Sequence, residues 1–207
     1  SLSLLSRYAF FAACVLFTLA SLPFIHHEWL WPFTLTTGIL SLIGLFDLLT
    51  TASQKGLDIS GDLLDTAEEY GTAWQAVGLT GADAMGLIDQ MWQAGIRNTD
   101  VAADSLKELS INLTDGSKLT ADTMAALGFN AEDMMNRFAQ GGPVARDAFG
   151  EVLTALRNID DPVQKNLIGL NLFKTKWEDA KTAIEAADLS KAATDLGNID
   201  GATRDAA

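Results

Sequence analysis

The pattern of apolar and polar positions changes character once along the chain. Tyr8 to Ile25 is a run of 18 uncharged residues, and Trp29 to Phe46 is a second run of 18. Only His26-His27-Glu28 separates them. Neither run has a polar face, so neither reads as the amphipathic surface helix of a soluble domain. At helical rise each run extends about 27 Å, close to the ~30 Å hydrocarbon thickness of a bilayer. In lipid the backbone must satisfy its own hydrogen bonds, so both runs are predicted as helices. Pro23 and Pro32 lie at the facing ends, where a turn tolerates them and a helix interior does not. These features predict a two-helix transmembrane hairpin. Trp29 and Trp31 suit one membrane interface, and Arg7 and Lys55 mark the other. Because the turn carries no Lys or Arg, both ends of the hairpin are expected on the cytoplasmic side. A cleavable signal peptide fits less well, since Leu22-Pro23-Phe24 is a poor cleavage site and a second apolar run follows.

From Gly56 on, apolar positions recur at three- and four-residue spacing between regular breaks. The recurring unit is a helix, a glycine, an apolar residue and a capping residue. It reads Val77-Gly78-Leu79-Thr80, then Ala94-Gly95-Ile96 with Asn98 or Thr99, then Leu127-Gly128-Phe129-Asn130. Glycine takes the left-handed position past a helix end, and the apolar residue packs back on the last turn. Thr or Asn then accepts N–H bonds at the next helix start. Short helices are predicted over roughly 60–76, 81–94, 100–109, 121–127, 131–139, 144–158, 162–173, 177–187 and 190–197. Asp161 as cap and Pro162 at the first helical position mark one start most sharply. Leu106, Leu109, Leu127, Phe138, Phe149, Leu153, Leu156, Leu167, Leu170 and Phe173 are the expected core. Between Ser110 and Thr120, Ile111 and Leu113 alternate with polar residues before Asp115-Gly116, which predicts a small β-hairpin or extended loop near 111–119. Residues 74–85 also align with 124–135 at an offset of 50, as an internal duplication or as shared capping chemistry. The expected fold class is therefore all-α: the hairpin, then an array of short helices.

Charge sharpens the division. The 207 residues carry Lys+Arg 14 against Asp+Glu 27, a net charge of −13. Residues 1–55 hold only Arg7, Glu28, Asp47 and Lys55, so the whole excess falls after them. We place the boundary between Leu49 and Gly56, with 1–55 as transmembrane hairpin and 56–207 as an acidic helical domain. So acidic a surface argues against nucleic-acid binding, which rests on cations. A single cysteine, Cys14, excludes an internal disulfide, and His26 and His27 are the only histidines. His-His-Glu offers no i, i+4 ligand pair and reads as a wetted turn. Gly141-Gly142-Pro143 lacks the lysine of a phosphate loop, and no G-x-S-x-G occurs. Glu68-Glu69 and Asp160-Asp161 are sequence neighbours that diverge by about 100° on a helix, so neither pair shares a site. The methionines read as core filler. No catalytic residue, metal site or cofactor site emerges, so no enzyme is expected.

Two resemblances cover different parts of the chain. Gly61-Asp62-Leu63-Leu64-Asp65-Thr66, Asp104 to Ile111, Thr114-Asp115-Gly116-Ser117-Lys118, Ala139-Gln140-Gly141-Gly142, Asp161 to Asn166 and Leu172 to Asp179 occur in order. In this order they resemble an internal segment of a phage tail tape measure protein, over about residues 56–201. Position 174 of that family is usually glycine-like, so Lys174 is a departure that bears on the local turn. The resemblance implies a mostly helical structural protein that sets tail length, without cofactor or enzyme activity. It implies tail tube and tail assembly proteins as partners, with room for self-association, and the virion tail as location. Residues 6–50 resemble the membrane leader of bacterial FMN-binding proteins related to glutamate synthase, through Ser6-Arg7-Tyr8, Trp29-Leu30-Trp31-Pro32 and Gly44 to Leu49. Thr50-Thr51-Ala52-Ser53 stands where that family has a Gln-Thr-Arg-His-like run, and the flavin-binding barrel is absent. The competing class is a membrane-anchored helical adaptor, with lipid as partner and 56–207 on the cytoplasmic side of the inner membrane. A truncated flavoprotein leader is third. The lack of an initiator Met and the abrupt Ala206-Ala207 end fit a fragment or a fusion.

Overall fold

The computed structural model describes residues 30–57, 63–96 and 98–197, with side chains of the first helix from Leu35 on. The first apolar run, Arg7, Trp29, the His26-His27 turn and Cys14 lie outside the described residues; of the two runs expected to form a hairpin, only the second is described, as one helix. Described residues form ten helices in chain order: α1 Leu30–Gln54, α2 Leu63–Ala76, α3 Gly81–Gln93, α4 Thr99–Thr114, α5 Lys118–Ala126, α6 Ala131–Gln140, α7 Gly142–Arg157, α8 Pro162–Phe173, α9 Lys176–Ala186 and α10 Leu189–Asp195. No strand occurs among them. The chain divides into two compact units, Ser1–Phe46 and Asp47–Ala207, so the division falls inside α1.

The helices start and stop for the local reasons read from the sequence. At the ends of α2, α3 and α5, the N–H groups of Leu79, Ile96 and Phe129 donate to the carbonyls of Trp74, Met91 and Met124 at 3.0, 3.2 and 2.9 Å. Gly78, Gly95 and Gly128 hold φ of 77°, 102° and 87° there, the left-handed geometry of a Schellman ending. α1 ends the same way through Gly56 and Leu57, with Leu57 N–H on Ala52 O at 3.1 Å. Thr80 caps α3 in a reciprocal box: its hydroxyl accepts from Asp83 N–H and its own N–H donates to Asp83 Oδ2, both at 3.1 Å. Asn98, and not Thr99, caps α4; Asn130 caps α6 and Asp161 caps α8. The same helix–glycine–cap joint recurs at 91–100, outside the offset-50 alignment.

Two expectations need correction. Residues 111–114 continue α4, and only Asp115-Gly116-Ser117 forms a turn before α5. The polar residues that suggested alternation are satisfied by the helix itself: Ser110 Oγ donates to Leu106 O at 2.8 Å, and Thr114 Oγ1 to Ser110 O at 2.9 Å. Asn112 Nδ2 donates to Glu108 O and also to Leu172 O on α8, at 2.8 and 2.9 Å. Tertiary packing overrides weak local helix propensity here. The second correction is Leu167, which is 60% exposed. α8 buries Ile168, Gly169, Leu172 and Phe173 instead, because Gly169 lets the ring of Trp177 lie directly against the helix. Leu127 and Leu170 are partly buried, and the other seven expected core residues are fully so.

Within the second unit α4 packs against α2, α3, α6, α8 and α9, and α3 against α2, α4, α9 and α10. α3 buries Ala84, Met85, Leu87, Ile88 and Met91 together with Asp83 and Asp89. α10 lies closest, because a Cβ at Gly86 would collide with the backbone carbonyl of Ala192. α4 carries a second layer made with α8 and α9, which buries Phe173 and Trp177 as a stacked pair, centroids 5.9 Å apart.

Candidate functional site

Two features stand out from ordinary packing: the open apolar stretch of α1 and a set of long-range polar clamps. From Leu35 to Phe46 every residue of α1 is exposed, including Leu35, Ile39, Leu40, Leu42, Ile43, Leu45 and Phe46. No charged side chain interrupts the stretch, and Ser41 Oγ donates to its own helix at Thr37 O, 2.9 Å away. Its surface is thus uncharged and mostly apolar around the whole circumference. Leu35–Gln54 has a mean hydropathy of 1.6 and is the one helix, among the described residues, long and apolar enough to cross a membrane.

Of the residues expected at a membrane interface, Arg7 and Trp29 lie outside the described residues. Trp31 stands in the first turn of α1. Lys55 faces the helical unit: its Nζ meets Asp89 Oδ2 at 3.1 Å and donates to the backbone carbonyl of Asp195 at 2.5 Å. The last two turns of α1 are packed, with Leu48, Ala52 and Leu57 in the core. Asp47 and Thr51 are buried there as well, so the change falls where the uncharged run ends.

The clamps were not legible in the sequence at all. Asp83 is 2% exposed and accepts from Arg146 Nε and Nη2 at 2.9 and 2.6 Å, a two-pronged pair between α3 and α7. Burial pushes its carboxyl up, but the bonds from Arg146 and Thr80 outweigh burial and hold it below its ordinary range. Gln90 and Asp188 make a reciprocal pair: Gln90 Nε2 donates to Asp188 O at 3.1 Å, and Asp188 N–H donates to Gln90 Oε1 at 2.7 Å. Arg137 and Glu151 form a two-pronged pair at 2.7 and 2.8 Å between α6 and α7; the bonds to Arg137 draw the Glu151 carboxyl down. Between these clamps runs an open groove of about 520 Å³ along α7, lined by Phe129, Arg146, Asp147, Glu151, Asp188 and Leu189 among others. Its cation Arg146 is already committed to Asp83. Among the described residues no group of three His, Cys, Asp or Glu could hold a metal ion. The ion pairs tie helices to one another: Asp83–Arg146 joins α3 to α7, and Arg137–Glu151 joins the consecutive α6 and α7.

No solved structure matches the chain. It is 41% identical over 161 residues to a probable tape measure protein of Streptomyces phage phiC31, an alignment covering 78% of this chain and 22% of that protein. The chain thus spans about a fifth of that relative's length. The family described as phage-related minor tail protein matches residues 33–174 in one continuous stretch. That match begins inside the second apolar run and crosses the composition break, so α1 and the acidic helices are recognised together. With most of its length inside that match, the chain belongs to the family of phage-related minor tail proteins.

Proposed function

We propose that this chain is a segment of a tape measure protein, acting structurally and without enzymatic chemistry in tail-length determination and tail assembly. The observation that carries the reading is the continuous family match over residues 33–174, joined to the tape measure relative at 41% identity. Its place is the virion tail, and its partners are tail tube and tail assembly proteins. Clamps that commit charged side chains to inter-helix pairing support a structural role. In a phage carrying this gene, an amber mutation is expected to yield heads without tails of uniform length under electron microscopy. Tails of normal number and length would overturn the reading.

A membrane contact belongs to the same proposal. Residues up to Phe46 form the lipid-facing part of a hairpin within residues 1–55, with Trp31 near one interface, and the acidic helical domain follows. The support is the uncharged, mostly apolar circumference of Leu35–Phe46. Because Asp47–Gln54 packs with the helical unit and Lys55 pairs with Asp89, the lipid-facing part stops short of Lys55.

A further inference from the structure

An extended α-helix used as a ruler spends ~1.5 Å per residue along its axis. Asp47–Gly197 is organised in the opposite way. Asp83 holds Arg146, 63 residues on; Gln90 holds Asp188, 98 residues on; Lys55 reaches Asp195, 140 residues on. Glycines stand where another helix passes at backbone distance, Gly86 beneath Ala192 and Gly78 beneath Gly142. Lys176 of α9 reaches back to Asp104 of α4 at 2.5 Å. A straight helix has no use for any of these features, and left-handed glycines at its interior would break it. They are devices for folding back.

We infer that residues 47–197 stay folded as one body in the assembled tail, contributing folded width and not helical length to the distance the protein measures. This rests on the tail reading above. Stretched as one helix, those residues would cover about 225 Å, whereas a folded body of that size has a diameter of about 40 Å. The segment is then a fixed module of the tape measure protein, and the length-proportional ruler lies elsewhere in it.

Lys176 and Asp104 are 72 residues apart, which is about 108 Å along a continuous helix, so a zero-length carbodiimide crosslink between them reports the folded state. Applied to unmodified virions, with peptides from purified tails read by mass spectrometry, the reagent is expected to give the Lys176–Asp104 peptide. A second measurement uses the Gly150→Cys/Leu189→Cys variant. A Cβ at Gly150 stands 3.7 Å from Leu189 Cβ, the spacing of a disulfide. The variant phage is expected to form that disulfide in its virions and keep wild-type tail length. Crosslinks formed in the free chain but lost from virions would overturn the inference and leave the tail reading intact. Failure to form them even in the free chain would overturn the packing on which the inference stands. Absence of the chain from purified tails would instead overturn the tail reading.

Discussion

Lys174 is the one non-glycine residue, among those described, with positive φ, at 52° with ψ of −135°. Side chains other than glycine pay about 1–3 kcal/mol in such regions. It sits between α8 and α9 where the chain must reverse, its N–H on Leu170 O at 3.0 Å and its carbonyl accepting from Trp177 N–H at 3.2 Å. The departure from a glycine-like residue, legible in the sequence, thus falls on a strained backbone. Lys174→Gly removes the strain and loses the bond from Lys174 Nζ to Asn171 O. We expect a net gain of about 1 kcal/mol in urea unfolding, after the entropic cost of glycine. A loss of stability would show the turn is not strained. Asp83 gives a residue-scale prediction in pH. Its folded pKa lies below the ordinary 3.8, so the unfolded chain takes up the proton first as pH falls. The stability it contributes is fully present above about pH 4, its unfolded range, and drains away as pH drops through the lower folded value. Asp83→Asn should cost about 3 kcal/mol at pH 7, the low end for a broken buried pair, because Arg146 keeps some access to water. The variant should also lose part of the wild-type decline in stability below pH 4. An unchanged acid slope in guanidinium titrations would contradict the assignment.

At the scale of elements, the α2–α3, α3–α4 and α5–α6 joints repeat one solution. A helix ends at a left-handed glycine, an apolar residue folds back on the last turn, and a short polar side chain starts the next helix. Gly56-Leu57 uses it to end α1 and could have been found by the same rule. α4 shows where local reading stops, since Asn112 is helical partly because Leu172, 60 residues away, offers it a carbonyl. α1 shows a second limit. Apolar residues occur along its whole length, yet Leu40 is 62% exposed while Ala52 is fully buried. Leu40→Arg therefore tests the open half alone. On insertion scales a mid-span arginine costs roughly 2.5–3.5 kcal/mol, about a 100-fold weaker bilayer association. Co-flotation with liposomes should fall accordingly, while the circular dichroism melt of the helical unit stays as in the wild type. Unchanged flotation would remove lipid as the occupant of this face. A collapsed melt would mean that the stretch belongs to the core.

For the whole molecule, composition alone separated an apolar segment of zero net charge from an acidic helical one. The periodicity and capping residues located the short helices, because these signals act within four residues of a helix end and need no tertiary partner. The resemblance to tape measure segments followed from ordered motifs, and the family match agrees with it. Other properties were decided only in three dimensions. Composition breaks between Leu49 and Gly56, whereas the packed unit begins at Asp47, where α1 starts to bury Asp47, Leu48, Thr51 and Ala52. Leu167 and Ile168 are adjacent and equally apolar, so only the Trp177 ring seated against Gly169 chooses which is buried. Lys55 reads as a membrane-interface cation and Arg146 carries no signal in the sequence, and only the fold brings them to Asp89 and Asp83 on α3. Hydrophobic attraction has no direction, and a charge can pair with any opposite charge in reach. The chain's pattern therefore determines which segments are helical and where they turn, whereas the choice of face and partner belongs to the packing of all the helices at once.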